Sequence, residues 1–201
     1  MLHTLPTMRT ICLSFTLLLA IAISAAEAQI TDLERQRLVA HIQMTSAWLE
    51  DELANLSPAQ AAFRPRAGAW SILDVLDHLV VVGPIYWKNL QEASSTGTSP
   101  AGMMSDVDVL WYGIDRTNRE TALVTEEPSR KIGDVAAGLK AYRADHAKLL
   151  QYVRTTKDDL RRRLVARQQS DAYQWALLIS THEQRHILQI REIKAHAGYP
   201  R

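Results

Sequence analysis

The sequence predicts an all-α protein, a four-helix bundle with a long crossover connection. Apolar residues recur at helical spacing in four long segments, at about 31–56, 71–92, 132–156 and 171–196. Residues 93–131, between the second and third segments, form the longest connection. Four amphipathic helices joined in this way fit a bundle with a crossover. About 170 residues follow the N-terminal segment, enough for one domain with its own core.

The first helix is predicted over about 31–56, and Ser57-Pro58 is expected to end it. Proline fits the first turn of a helix but not its interior, so the chain should turn there. The apolar side of this helix carries Leu38, Ile42, Trp48, Leu49, Leu53 and Leu56.

The second helix is predicted over about 71–92. Ser71 has the character of an N-cap residue, and Asp74 three positions later completes a start similar to a capping box. Gly83-Pro84 lies inside this helix and should cause a kink or a local break.

The connection at 93–131 begins with small residues and then predicts a shorter helix near 103–122, which carries Leu110, Trp111 and Tyr112. This stretch is either a lid over a functional site or a simple packing element.

The third helix follows at about 132–156. Its apolar side carries Leu139, Tyr142, Leu149, Leu150 and Val153.

The fourth helix contains the most informative residues. Residues 171–196 include no glycine or proline, and Gly198 and Pro200 should stop the helix. His182 and His186 are four residues apart, so both rings lie on one face. Both histidines interrupt the apolar stripe rather than the polar face, and that stripe is formed by Trp175, Leu178, Ile179, Ile190 and Ile193.

Two inward histidines at this spacing have two interpretations. Each could be a core histidine with its own hydrogen-bond partner, or both could hold one metal ion. A buried imidazole without a partner is costly, so a shared metal is the more economical interpretation.

The letters from His182 to His186 also spell H-E-x-x-H, the zinc metalloprotease motif with Glu183 as general base. The extended zincin pattern fails because Gln189 and Glu192 occupy its glycine and last histidine positions. Glu183 also lies about 100° around the helix from His182. A surface or interhelical ion pair, with an arginine such as Arg185, is the alternative for this carboxylate.

A third metal ligand must come from another helix. His78 shares an inward face with Val75, Val82 and Ile85, so it is the preferred candidate. His41 and His146 are expected to be solvated or hydrogen-bonded, and His196 is expected to be exposed at a helix end.

Several of these motifs together resemble the DinB/YfiT-like superfamily. They are Trp70-Ser71, Asp77-His78-Leu79, His182-x-x-x-His186 with Gln189-Ile190, and the ending at 193–200. The resemblance covers about 31–200. It implies a four-helix bundle in which His78, His182 and His186 hold a divalent metal, often in a homodimer. Known activities of the superfamily are thiol-dependent transfer and isomerisation, and many members are described as metal-dependent hydrolases.

The N-terminal segment has the pattern of a signal peptide. Arg9 precedes an apolar run at 11–23, and an A-x-A site predicts cleavage after Ala28. We therefore expect a signal peptide at 1–28, a DinB-like domain at 29–201, and export to the periplasm or secretion. The run is short for a membrane span, so no stable span should remain after cleavage; an uncleaved anchor is the alternative.

Cleavage would remove Cys12, the only cysteine, and leave nitrogen and oxygen as metal ligands. Zinc or nickel fits three imidazoles best, and iron or manganese is also compatible. Export disfavours a thiol-dependent transferase because the usual thiol cosubstrates are cytosolic. The formal net charge of +1 gives no reason to expect nucleic-acid binding. The basic run at 161–163 is expected to be a solvated helix end or loop.

Three hypotheses about function follow. The first is an exported metal-dependent hydrolase or transferase that acts on a small molecule, with Glu183 or Asp77 as a candidate base. The second is a non-catalytic metal-binding or stress-related bundle with a closed site. The third is a bundle whose histidines are structural and bind no metal, and a metalloprotease is the least favoured enzyme.

Overall fold

Four long helices form the body of the protein. A computed structural model describes residues 30–95, 104–165 and 170–201. The long helices are α1 (Asp32–Leu53), α3 (Ile72–Gln91), α5 (Val135–Thr155) and α6 (Ala172–Lys194), with short helices α2 (Pro58–Ala62) and α4 (Asp106–Ile114) between them. The predicted all-α bundle is confirmed. The predicted signal peptide at 1–28 lies outside the described residues, and none of the described helices is long and apolar enough to cross a membrane.

Side-chain caps explain where the helices begin. Ser71 accepts a hydrogen bond from the Asp74 backbone N–H, and Asp74 bonds back to Ser71, as the sequence predicted for α3. Asp171 and Gln174 form the same reciprocal arrangement at the start of α6. Such caps satisfy backbone N–H groups that have no partner within the helix.

The structure corrects two predicted boundaries. Helix α1 ends at Leu53, and Asn55 follows in the left-handed region with φ 56°. Ser57 is instead the N-cap of α2, with Pro58 in the first turn. The break expected at Gly83-Pro84 does not occur, because α3 continues unbroken to Gln91.

The predicted helix near 103–122 is shorter than expected. Among the described residues of that range only α4 (Asp106–Ile114) is helical. Two 3-10 turns occur later in the chain, at Val124–Glu126 before α5 and at Leu160–Arg162 after it. Three very short strands, β1 (Ser94–Ser95), β2 (Arg163–Val165) and β3 (Ser170–Asp171), pair antiparallel in the order β1-β2-β3. These strands were not predicted, since two or three residues are too few to show a strand pattern.

Helix α6 lies in the middle of the bundle and is buried on nearly all sides. Its Trp175 donates an indole N–H to the Tyr86 carbonyl oxygen of α3 at 2.9 Å. Helix α4 approaches it closely, because a Cβ at Gly113 would lie 2.9 Å from the Thr181 Cβ. A helix buried all round must accommodate its polar residues inside the protein.

The basic run at 161–163 was predicted to be a solvated helix end or loop. Arg162 is exposed, but Arg161 forms an electrostatic junction instead. Arg161 bonds to both oxygens of Asp106, at 2.9 and 2.6 Å, and also to Glu34 and Asp171. Its guanidinium also stacks 3.7 Å above the Tyr173 ring. Arg161 therefore ties together the starts of α1, α4 and α6.

Candidate metal centre

Three histidines from two helices meet at one point in the bundle. His78 comes from α3, and His182 and His186 come from successive turns of α6. The Nε2 atom of His182 lies 3.3 Å from Nε2 of His78 and 3.1 Å from Nε2 of His186. All three are buried, with exposed fractions of 2, 6 and 8% in chain order. The structure thus brings together the three residues that the sequence singled out, as one group that could hold a metal ion.

Hydrogen bonds on the far side of two rings fix which nitrogen faces the group. Nδ1 of His78 lies 2.5 Å from the Glu126 carbonyl oxygen, and Nδ1 of His186 lies 2.8 Å from Gln189 Oε1. A carbonyl oxygen only accepts, so each Nδ1 carries the hydrogen. In the neutral ring Nε2 then carries no hydrogen, and its lone pair points toward the other histidines. Histidine ligands of metals are commonly oriented by such partners.

Two aromatic rings complete the walls of the group. The Trp70 ring is 5.0 Å from the His78 ring and nearly parallel to His186 at 6.3 Å. The Tyr86 ring is 5.4 Å from His182. The walls therefore lower the local dielectric and leave few polar atoms beside the imidazoles.

The electrostatic environment keeps these imidazoles neutral. Burial, together with smaller effects of the neighbouring His78 and Arg185, lowers the pKa of His182 to about 3. Burial also lowers the pKa of His186 and of His78. Neutral imidazole is the form that binds a metal ion.

Glu183 has surroundings separate from the three histidines. It is buried, and its Oε2 accepts hydrogen bonds from Tyr142 at 3.1 Å and Thr45 at 3.4 Å. Nε2 of His146 is 3.7 Å from the same oxygen. Burial raises the pKa of Glu183 to about 8, more than the two hydroxyl donors lower it. The carboxyl group faces α1 and α5 rather than the histidines, so the alternative of a surface ion pair, or of a pair with Arg185, does not occur.

Asp77, the other candidate base, is also fully engaged. Its carboxylate accepts hydrogen bonds from the Ser129 hydroxyl at 2.9 Å and from the Arg130 backbone N–H. Both donors belong to the connection before α5. Asp77 therefore anchors that connection, and this use explains its burial beside His78.

His41, His146 and His196 lie apart from the three-histidine group. His41 contacts the Ser180 hydroxyl at 2.8 Å, as expected for a satisfied histidine. Nε2 of His146 has no hydrogen-bond partner among the described residues. His196 is exposed after the end of α6. Arg143 pairs with Glu50 at 2.7 Å on the surface.

The buried Arg185, one residue before His186, has a role that the sequence did not indicate. Its guanidinium donates to the carbonyl oxygens of Tyr112, Asp115 and Asn118. No residue near Arg185 in the sequence indicates partners that lie 67 to 73 residues away in the chain.

Comparison with known proteins bears on the family. The profile of the DinB superfamily matches residues 31–190, which is well over half of the chain and includes all three histidines. No curated protein and no solved structure matches the chain. The resemblance inferred from the motifs is confirmed, and the chain belongs to the DinB superfamily.

Proposed function

We propose that this protein is an exported, metal-dependent enzyme, a hydrolase or transferase of a small molecule, in which His78, His182 and His186 hold a divalent ion. One observation carries the proposal: three imidazole nitrogens converge with too few hydrogens between them. Nε2 of His182 can carry one hydrogen at most, so it can donate to only one of its two close neighbours. The lone pair of the other neighbour would then face a ring nitrogen that has no second hydrogen to donate, and the two nitrogens would repel each other. A cation between the rings removes that repulsion.

The spacing of the nitrogens also fits a small ion. Ligands about 2.05 Å from a tetrahedral zinc ion lie about 3.3 Å apart, close to the 3.1 and 3.3 Å found here. Zinc or nickel suits an all-imidazole set, and iron or manganese is compatible with it. When bound, such an ion would supply Lewis-acid chemistry.

The chain's own contribution is to hold and orient the ligands. The Glu126 carbonyl and the Gln189 amide oxygen fix the rings of His78 and His186. Burial keeps the imidazoles unprotonated, and the aromatic walls exclude water. Three protein ligands leave a coordination position free, as in catalytic sites rather than closed structural ones.

The two alternatives to an enzyme of this kind are a non-catalytic metal-binding protein and a metalloprotease. A non-catalytic metal-binding protein is favoured by the burial of the histidines, whose largest exposed fraction is 8%. A metalloprotease is disfavoured because Glu183, the base of that motif, bonds to Tyr142 and Thr45 instead of facing the histidines.

Export and assembly are part of the proposal. The A-x-A pattern ending at Ala28 supports export, and mass spectrometry of the secreted chain would locate the cleavage site. A homodimer is supported by an apolar stripe on α4, where Val107 and Trp111 are 70 and 60% exposed. Light scattering of the wild type and of Trp111→Glu would test the dimer.

The experiment that tests the function is elemental analysis of residues 29–201 with His78→Ala, His182→Ala and the matched control His196→Ala. We expect about one ion per chain in the wild type and control, and none in the other two. A substrate screen of the loaded protein would then separate an enzyme from a binding protein. A wild type that stays metal-free after reconstitution with zinc, nickel, iron and manganese would exclude the proposal.

A further inference from the structure

One segment crosses from α6 to α3 at the level of the three histidines. Residues 115–130, here called the strap, connect the end of α4 to the residues before α5. The three histidines occupy the space between α3 and α6, and the strap is bonded to both of these helices. The bonds at each end are made by residues next to a histidine of the group.

On the α6 side the anchor is Arg185. Its guanidinium donates to the Tyr112 carbonyl at 3.1 Å and to the Asp115 and Asn118 carbonyls. Arg116 of the strap bonds back to the Arg185 carbonyl at 3.1 Å. A planar guanidinium has several N–H donors and can bond to several carbonyl oxygens at once. The ammonium group of a lysine does not reproduce this geometry.

On the α3 side the anchor is Asp77. It accepts hydrogen bonds from the Ser129 hydroxyl at 2.9 Å and from the Arg130 backbone N–H. The next residue, His78, bonds to the Glu126 carbonyl at 2.5 Å. At both ends, the strap is therefore bonded to a residue that is next in the chain to a histidine of the three-histidine group.

Beside these anchors, Arg116 and Arg119 of the strap pair with Glu192 of α6 at 2.8 and 3.5 Å. The middle of the strap is largely exposed. Leu123 and Val124, between the two anchors, are 65 and 87% exposed. Segments with few buried apolar contacts open at a small fraction of the global unfolding free energy. The histidines beneath it are nevertheless almost fully buried, so a closed strap and an inaccessible site occur together.

We propose that Arg185 and Asp77 are positioning residues that hold the strap closed, and that small molecules reach the three histidines when the strap releases from these anchors. The inference rests on the proposed function, because it assigns the route by which substrate enters. It needs no residue of the strap to take part in chemistry. It also accounts for a catalytic site that is buried in the closed structure.

The test measures how fast diethyl pyrocarbonate modifies each histidine of the metal-free protein, read by peptide mass spectrometry. The variants are Arg185→Lys, Asp77→Asn and the milder Ser129→Ala. The matched control is Arg191→Lys, the same change on α6 at a residue that pairs with Glu52 instead of the strap.

We expect modification of the three histidines to accelerate about tenfold in Arg185→Lys and Asp77→Asn, because each loses hydrogen bonds to a charged group. The exposed His196 and the half-buried His41 serve as internal references and should react at unchanged rates. Amide hydrogen exchange at 119–127 should rise in the same variants. The control should behave as the wild type does.

Two results would overturn the inference. In the first, strap amides exchange faster while the three histidines react at the wild-type rate, so another route gives access. In the second, His41 accelerates together with them, so the anchors only stabilise the whole fold. Elemental analysis of the same samples judges the proposed function separately, since the modification rates need no bound metal.

Discussion

Replacement of Glu183 by glutamine should change how stability depends on pH. In the folded protein the Glu183 pKa is raised from 4.5 to about 8, mainly because burial disfavours the carboxylate. The unfolded chain therefore loses this proton near pH 4.5, while the folded protein keeps it until about pH 8. The folded state is stabilised relative to the unfolded state at low pH and loses that advantage as pH rises between these values.

The magnitude follows from the two pKa values. Each pH unit within this window costs about 1.4 kcal/mol. Between pH 5 and pH 7 the wild type should lose about 2.5 kcal/mol relative to Glu183→Gln, which cannot ionise. The lowered pKa values of the buried histidines act in the opposite direction, but they are common to both proteins and cancel in the difference.

Urea unfolding of metal-free protein at pH 5, 6, 7 and 8 would measure this difference. Glu50→Gln is the matched control, because Arg143 lowers the pKa of Glu50 and keeps it ionised across the window. Its difference from the wild type should be flat. Equal pH slopes for the wild type and Glu183→Gln would refute the reasoning. Such a result would mean that Glu183 is a carboxylate in the fold, paired with a protonated His146 at 3.7 Å.

Three further substitutions test the packing, the strap and the electrostatic junction, each by urea unfolding. Gly138→Ala should lower stability by about 1–2 kcal/mol, since a Cβ there would lie 2.5 Å from Leu76 Cδ2; a neutral result would mean that Leu76 moves freely. Arg130→Gly should raise stability by about 1 kcal/mol because Arg130 has φ 58°, and a loss would show that the arginine side chain matters more. Arg161→Met should cost about 2 kcal/mol, because Asp171 is left buried without its cation; an unchanged midpoint would contradict the junction.

Local signals explain why most of the fold was predictable. Ser71 and Asp74 mark the start of α3 within four residues, and the apolar spacing shows which side of each helix is buried. The same spacing placed His78, His182 and His186 inward, and their meeting then required only that α3 and α6 be neighbours.

Long-range partners were not predictable from such signals. The 100° offset of Glu183 from His182 indicated a different direction but not that Tyr142 and Thr45 would surround it. Arg161 resembled a solvated basic residue because two of its carboxylate partners, Glu34 and Asp106, are 127 and 55 residues away in the chain. The strap anchors were not predicted for the same reason, because no residue near Asp77 in the sequence indicates Ser129 as its partner.

The separation of the three histidines in the chain has a consequence for biosynthesis. His182 is made 104 residues after His78, and α6 is the last of the described helices to be translated. While α1 to α5 emerge, only one of the three imidazoles exists, and the core that α6 fills is still open. The growing chain therefore cannot form the three-histidine group. An ion held by all three histidines can be acquired only after α6 has been made, so the metal supply where folding is completed would decide which ion the group receives.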